Sequence, residues 1–207
     1  RWKTFPSASL GWRFDKEEWF PFSHDVINMF KVRGSYGELG NENIGEYQFQ
    51  ATMNRNNMTY SFGNNPITGS AVSTFVNENI AWEKKKTTNV GIDLAMLNNR
   101  IEFTAEWYKN VSEDLLYGVP VPTNAGVANT SVTMNAASME NSGLEFSLTY
   151  RDKTSYGLDY NVSANLSTLK NKVTSLGFGT EQYLTGAYMT YVGEEIGQFY
   201  GYEYKGI

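Results

Sequence analysis

The chain has 207 residues, no cysteine, a single histidine and a formal net charge of −5. That length bounds it to one or two domains, the missing thiols remove disulfide and thiolate–metal chemistry, and the acidic balance offers no basic surface for nucleic acid. No apolar run reaches the roughly 18 residues of a membrane-spanning helix, so none is expected.

Alternation is the dominant local signal. Ala8, Leu10, Trp12 and Phe14 alternate with Ser7, Ser9, Gly11 and Arg13, which predicts a first strand. Asp15 to Asn28 reads as a longer turn with a short helix near Ser23 to Met29. Phe30, Val32 and Tyr36 then alternate with Lys31, Arg33 and Ser35. From Leu39 to about Lys86 the chain is polar, rich in Asn, Gly, Ser and Thr, and reads as a long loop.

The stretch TTNVGIDLAMLNNRIEFTAEWYKN follows. Val90, Ile92, Leu94 and Met96 share one face, as do Ile101, Phe103, Ala105 and Trp107. Asn tolerates positive φ, so Asn98-Asn99 suits a two-residue primed turn pairing Leu97 with Arg100. The register then sets Met96 against Ile101, Leu94 against Phe103, Ile92 against Ala105 and Val90 against Trp107. A second loop is expected from about Asp114 to Ser142, stiffened by Pro120 and Pro122. Leu144, Phe146, Leu148 and Tyr150 mark the next strand, Arg151 to Gly157 a short turn, and Leu158 to Ser167 the last clear strand; if the strands cross a membrane, Lys170 onward leaves it again.

About six strands of this length, several near the roughly 9–11 residues of a membrane-crossing strand, fit two all-β architectures. A sandwich buries its apolar rows between two sheets, and a transmembrane barrel turns them to lipid. Short turns on one rim with long loops on the other favour the barrel. So do inward rows without large apolar residues, and Trp12, Tyr36, Trp107, Tyr108 and Tyr150 near strand ends, where an interfacial girdle belongs. A soluble secreted β-sandwich that binds carbohydrate remains the alternative.

The words FPSASLGWRF, KVRGSYGELGN, NENIAWEKKKTTNVGIDLAMLNNRIEFTAEWYKN, NAASMENSGLEFSLTY, NLSTLKNKVTSLG and VGEEIGQFYGYEYKGI stand in this order from Phe5 to Ile207. Together they resemble the barrel region of SusC/RagA-like TonB-dependent outer-membrane receptors. The resemblance implies an antiparallel 22-stranded barrel closed by an N-terminal plug in the cell outer membrane of a Bacteroidota-like bacterium. It implies a SusD-like lipoprotein lid, energy from TonB through the plug, contact with outer-membrane lipids, and an oligosaccharide or peptide ligand. Residues 1–207 are then a partial β-barrel domain of about six to eight strands. A wall of that width has two open edges in lipid, so plug and barrel closure are expected elsewhere in a larger polypeptide. Transport is the expected function, with no cofactor and no enzymatic role.

Candidate site residues fall into two sets. Arg33, Asp93, Glu102, Glu106, Glu145, Asn161 and Asn165 lie on polar rows and are expected to face the lumen. Asp93 should face Thr104, with Glu102 and Glu106 as diagonal neighbours about 7–8 Å away, a separation that an inverting glycosidase also uses. Nothing apolar nearby would raise a carboxylate pKa, so a wet lumen lined with charge is the expectation, paired with basic residues of the plug or of neighbouring strands such as Lys31 and Arg33. His24 reads as a turn residue. In the loops, Tyr47, Phe49, Tyr60, Phe62, Trp82 and Tyr117 are candidate aromatic platforms for ligand, beside Asn54, Asn56, Asn57, Asn64 and Asn65. The run Lys84-Lys85-Lys86 at the external rim offers contacts to lipopolysaccharide phosphates, though a solvated charge run explains it as well.

Overall fold

The structure, a computed structural model, describes residues 2–42, 44–54, 59–72, 74–127, 130–177 and 179–206. Period-two patterning becomes strands β1 (Ser7–Arg13) and β2 (Ile27–Asn41). The short β3 (Met53–Asn54), β4 (Thr59–Phe62), β5 (Asn65–Thr68) and β6 (Ala71–Val72) follow within the polar connection. The long strands are β7 (Glu83–Met96), β8 (Ile101–Pro120) and β9 (Ser131–Lys153). After them come β10 (Asp159–Ser167), β11 (Lys170–Ser175), β12 (Gln182–Thr185), β13 (Tyr188–Tyr191) and β14 (Gln198–Phe199).

The main sheet runs in the order β1-β2-β7-β8-β9-β10, each strand antiparallel to its neighbour, and β11 continues beside the upper part of β9. Thr168 bridges the break between β10 and β11: its amide donates to Leu144 O at 2.8 Å and its Oγ1 accepts the Leu144 amide at 3.0 Å. A three-stranded sheet, β12-β13-β14, and the pairs β3-β6 and β4-β5 lie outside this meander.

The hairpin forms in the expected register, with Met96 opposite Ile101, Leu94 opposite Phe103, Ile92 opposite Ala105 and Val90 opposite Trp107. Asn98 and Asn99 take φ of 59° and 61°, and Arg100 N donates to Leu97 O at 3.2 Å. Leu97 is also left-handed, at φ 53°, which residue type did not signal.

Two expectations are corrected. Asp114 to Ser142 is no loop: β8 and β9 pair as far as Pro120 and Ser131, and only residues 121–130 connect them. Register shifts between Ser112 and Leu116 break the alternation there, with Asp114 at φ 57°, and a bulge of this kind hides a strand from a period-two reading. No helix forms from Ser23 to Met29; that segment is a turn into β2, and a single 3-10 turn, Phe14–Lys16, replaces it.

One face of the main sheet carries the apolar rungs. Trp12, Val32, Ile92, Ala105, Phe146 and Leu166 stand in register across it. So do Phe30, Leu94, Phe103, Leu148 and Ala164. These side chains meet solvent: Leu10 is 78% exposed, Leu148 45% and Val162 62%. Leu94, Phe103 and Phe146 are partly exposed as well. A sandwich would bury this face against a second sheet, so the sandwich alternative fails. An apolar face this extensive requires hydrocarbon against it.

Aromatic side chains gather at the short-turn rim, where Trp12 stacks on Phe14 at 4.4 Å and Phe14 meets Trp19 and Phe30 at 5.8 and 5.4 Å. Trp107 and Tyr36 lie toward the other rim of the apolar face. Tyr108 does not join them; it stands on the polar face, because it alternates with Trp107. The buried apolar residues Val132, Ala136, Val173 and Met189 all belong to the outer extension of β8, β9, β11 and β13.

The turn between β1 and β2 is organised by Asp15, which is fully buried. Arg13 clasps it with Nε–Oδ1 at 2.7 Å and Nη2–Oδ2 at 2.5 Å, and the Phe30 amide donates to Oδ1 at 3.0 Å. The Arg13 hydrogen bond outweighs the cost of burial, and with the Phe30 amide it holds the carboxyl at about 2. A depressed carboxylate pKa stabilises above its ordinary value of 3.8 and ceases to as pH falls toward about 2. Hydrogen exchange at the Phe30 amide of the full-length protein should therefore lose protection over that interval, and Asp15→Asn should lose it at neutral pH. On the apolar face, Leu94→Arg should destabilise the protein in lipid by about 2–4 kcal/mol. Thr104→Arg on the opposite face should cost far less, as read from heat-modifiable gel mobility.

Candidate functional site

The opposite face of the same sheet is polar, rung by rung. Gly11, Arg33, Gly91, Glu106, Glu145 and Ser167 share one rung. Lys31, Asp93, Thr104, Ser147 and Asn165 share the next. Below them Glu102 faces Thr149, and Arg151 faces Asn161. All the polar-row candidates, Arg33, Asp93, Glu102, Glu106, Glu145, Asn161 and Asn165, thus stand on one side of the sheet.

Arg33 ties three strands together. From β2 its Nε lies 3.3 Å from Asp93 Oδ2 on β7, and its Nη2 lies 2.5 Å from Glu106 Oε2 on β8. Crossing β7 demands a gap, and Gly91 supplies it. A Cβ on Gly91 would stand 3.0 Å from Arg33 Cζ and 3.2 Å from Ala105 O. Glycine weakens a strand interior unless something lies close over its backbone; here a guanidinium does. Gly143 is likewise covered, first by the Thr168 carbonyl and then by Tyr108, whose hydroxyl would sit 2.8 Å from an added Cβ.

Glu102 is clasped by Arg151, Nη1–Oε1 at 2.7 Å and Nη2–Oε2 at 3.0 Å. The forked geometry is the strong form of the pair; Arg151 was not among the partners that the sequence singled out by number. Glu145 is exposed beside Glu106 and forms no ion pair among the described residues. Higher on this face, Thr87 Oγ1 donates to Asn110 Oδ1 at 2.8 Å and Asn171 Nδ2 donates to Asn141 Oδ1 at 2.5 Å. These residues form one amide-lined rung, which the alternation contained but which no motif marked.

Asp93, Glu102 and Glu106 are each held by an arginine, an arrangement that fixes charge on the sheet. Among the described residues no group of His, Asp and Glu is placed to hold a metal ion. His24 is exposed in the turn, where its carbonyl accepts Asn28 Nδ2 at 2.7 Å.

The loop aromatics separate into three places. Tyr47, Phe49 and Trp82 line one hollow of about 390 Å³ with Glu42, Ile44 and Ile80, and Phe5 packs on Trp82 at 5.9 Å. Tyr60 and Phe62 pack on each other at 5.2 Å on the β4–β5 hairpin, which also carries Asn64 and Asn65. Tyr117 meets Tyr183 at 5.4 Å over an apolar cavity of about 260 Å³ lined by Leu116, Met139 and Val173 among others. The Asn54 side chain, Asn56 and Asn57 lie outside the described residues. The long connection is pinned at Asn135, which accepts the Ala81 amide and donates to the Ala81 and Asp114 carbonyls, all at 2.8 Å.

Gly91→Val should displace the Arg33 guanidinium and destabilise the full-length protein by about 1–3 kcal/mol. Gly34→Ala, where an added Cβ meets its nearest atom at 3.9 Å, should change stability by less than about 0.5 kcal/mol. The midpoint of the heat-modifiable transition measures both.

A family model for TonB dependent receptor-like beta-barrels matches residues 1–206. TonB-dependent receptor P3 of Formosa agariphila is 33% identical over 217 residues, covering all of this chain and 21% of that protein. TonB-dependent receptor SusC of Bacteroides thetaiotaomicron is 35% identical over 184 residues, 87% of this chain and 18% of SusC. In the RagAB peptide importer in its closed-closed state, one chain superposes with a TM-score of 0.80 at 27% identity, covering 94% of this chain and 21% of that one. The chain thus spans about a fifth of these relatives. With an open meander that is oily on one face and charged on the other, it belongs to the TonB-dependent receptor-like β-barrel family and is part of an outer-membrane barrel wall.

Proposed function

We propose that this chain supplies barrel wall and external surface to a TonB-dependent importer of oligosaccharides or peptides, working with a SusD-like lipoprotein lid and drawing energy from TonB through a plug. The observation that carries this reading is the division of one sheet into an exposed apolar face and a face of paired charges and small polar side chains. Water belongs on the second face, so Arg33, Asp93, Glu102, Glu106, Glu145, Asn161 and Asn165 line the lumen. The pairing of Arg33 with Asp93 and Glu106, and of Arg151 with Glu102, gives a hydrophilic wall that holds its shape while a ligand or a plug moves past it.

The connections at the other rim carry the capture surface. Tyr47, Phe49 and Trp82 form the most coherent group, since they converge on one hollow and are backed by the Asn135 pin. Such rings suit the C–H faces of sugars or apolar side chains of peptides. Tyr60 with Phe62, and Tyr117 with Tyr183, are separate platforms for ligand or lid. The name of the RagAB peptide importer supports a peptide, and kinship with SusC supports membership of the same receptor class.

Uptake of labelled ligand by cells carrying the full-length receptor tests the division of faces. Ser147→Trp should obstruct the lumen and cut uptake severalfold while the barrel still folds. Leu148→Trp, one residue away but facing lipid, should leave uptake unchanged. Equal effects from the two would overturn the reading.

A further inference from the structure

Above the apolar band, the lipid-facing side of the sheet changes character within one rung. Trp107 and Leu144 stand in register at the top of that band and are 40% and 42% exposed. The next rung on the same face holds Tyr36, Thr88, Lys109, Ser142 and Lys170. The rung above holds Glu38, Lys86, Val111, Glu140 and Lys172. Strand alternation splits the lysine run: Lys84 and Lys86 lie on this face, whereas Lys85 is turned to the other.

The two sides of this belt differ in balance. Toward β7, Lys86 is 2.7 Å from Glu113 and Lys84 is 3.6 Å from Asp114, so cation and anion cancel. Toward β11, Lys109, Lys170 and Lys172 share this face with Glu140, which Lys109 holds at 2.9 Å, while the segment bearing Glu194 is hydrogen-bonded to the far edge of β11 at Val173. Lys170 and Lys172 are exposed and form no ion pair among the described residues. At the short-turn rim of the same face, by contrast, Arg100 is answered by Asp152 at 3.6 Å.

We propose that Lys109, Lys170 and Lys172, above the exposed Trp107 and Leu144, form a binding site for the phosphate groups of a phosphorylated glycolipid in the outer leaflet. Neighbouring strands stand about 4.8 Å apart and successive same-face residues about 6.7 Å apart. Three ammonium groups therefore fall within the compass of one headgroup, while Trp107 and Leu144 meet its acyl chains. Lysine stems reach along apolar surface and present the charge at the interface, and an ammonium is a suitable point charge for phosphate. Charge complementarity names the occupant: three ammonium groups sharing this face with Glu140 call for an anionic headgroup, which a neutral glycolipid does not offer. The inference rests on the reading that the rim with the long connections is the cell-surface rim.

Native mass spectrometry of the full-length receptor in neutral detergent is the test, with lipid A as probe and its dephosphorylated form as control. Lipid A should be retained and the dephosphorylated form lost. Each lysine near an anionic headgroup contributes enough that Lys109→Ala, Lys170→Ala and Lys172→Ala together should weaken retention on the order of tenfold or more. Lys85→Ala, on the other face, should leave it unchanged. Equal retention of the two lipids by the unaltered receptor overturns the site even if the triple variant fails to fold. Labelling of Lys172→Cys on whole cells with a membrane-impermeant maleimide tests the orientation alone. Labelling with no lipid A preference would refute the site and leave the importer reading standing.

Discussion

A β-strand has only two faces, and the solvent on each side must match the side chains it receives. That constraint governs the molecule. Ile92, Leu94, Phe103 and Phe146 project from one side of backbone whose other side carries Asp93, Thr104 and Ser147. No second sheet takes up the apolar side among the described residues, so hydrocarbon is the only medium that satisfies both. Ladder pairing satisfies the backbone amides of the interior strands. The free edges of β1 and β10 are what a barrel closes with neighbouring strands.

Given that constraint, the polar face faces a packing problem of its own. A lumen wall cannot fill its space with aliphatic groups, so charged side chains must hold one another. Arg33 does so across three strands only because Gly91 leaves the strand between them bare. A glycine in the middle of a strand costs conformational entropy, and here that cost is offset by a guanidinium lying over the backbone and bonded on both sides. Gly143 under Tyr108 repeats the arrangement one strand interface away. Glycine and long polar side chain therefore act as one unit, and neither is intelligible alone.

Much of this was legible beforehand. The Asn98-Asn99 turn and the alternation around it fixed the β7–β8 register, and with it the face of every residue from Val90 to Trp107. The extension of β8 and β9 was not legible, because the bulge near Asp114 shifts the phase and the small polar residues from Asn129 to Asn141 resemble loop composition. Partnerships were only half legible. Alternation places Glu102 and Arg151 on the same face, but the reach of a forked side chain along a diagonal is set by twist, which sequence does not display. The loop aromatics were found by type alone. Their division among three places depends on contacts such as Asn135 with Ala81, between residues far apart in the chain.

The sheet consequently differs in character at different heights. Within the apolar band the polar face is built from small groups such as Thr104, Ser147 and Asn165 and from arginine–carboxylate pairs, with Glu145 exposed among them. Ala95 is buried within the band, and above it apolar burial gathers at Val132, Ala136, Val173 and Met189, with aromatic groups held against them or on separate hairpins. The unexpected length of β8 and β9 is therefore more than a correction of boundaries. These strands carry the membrane ladder beyond the apolar band, so that the upper surface stands on paired strands and not on loops alone.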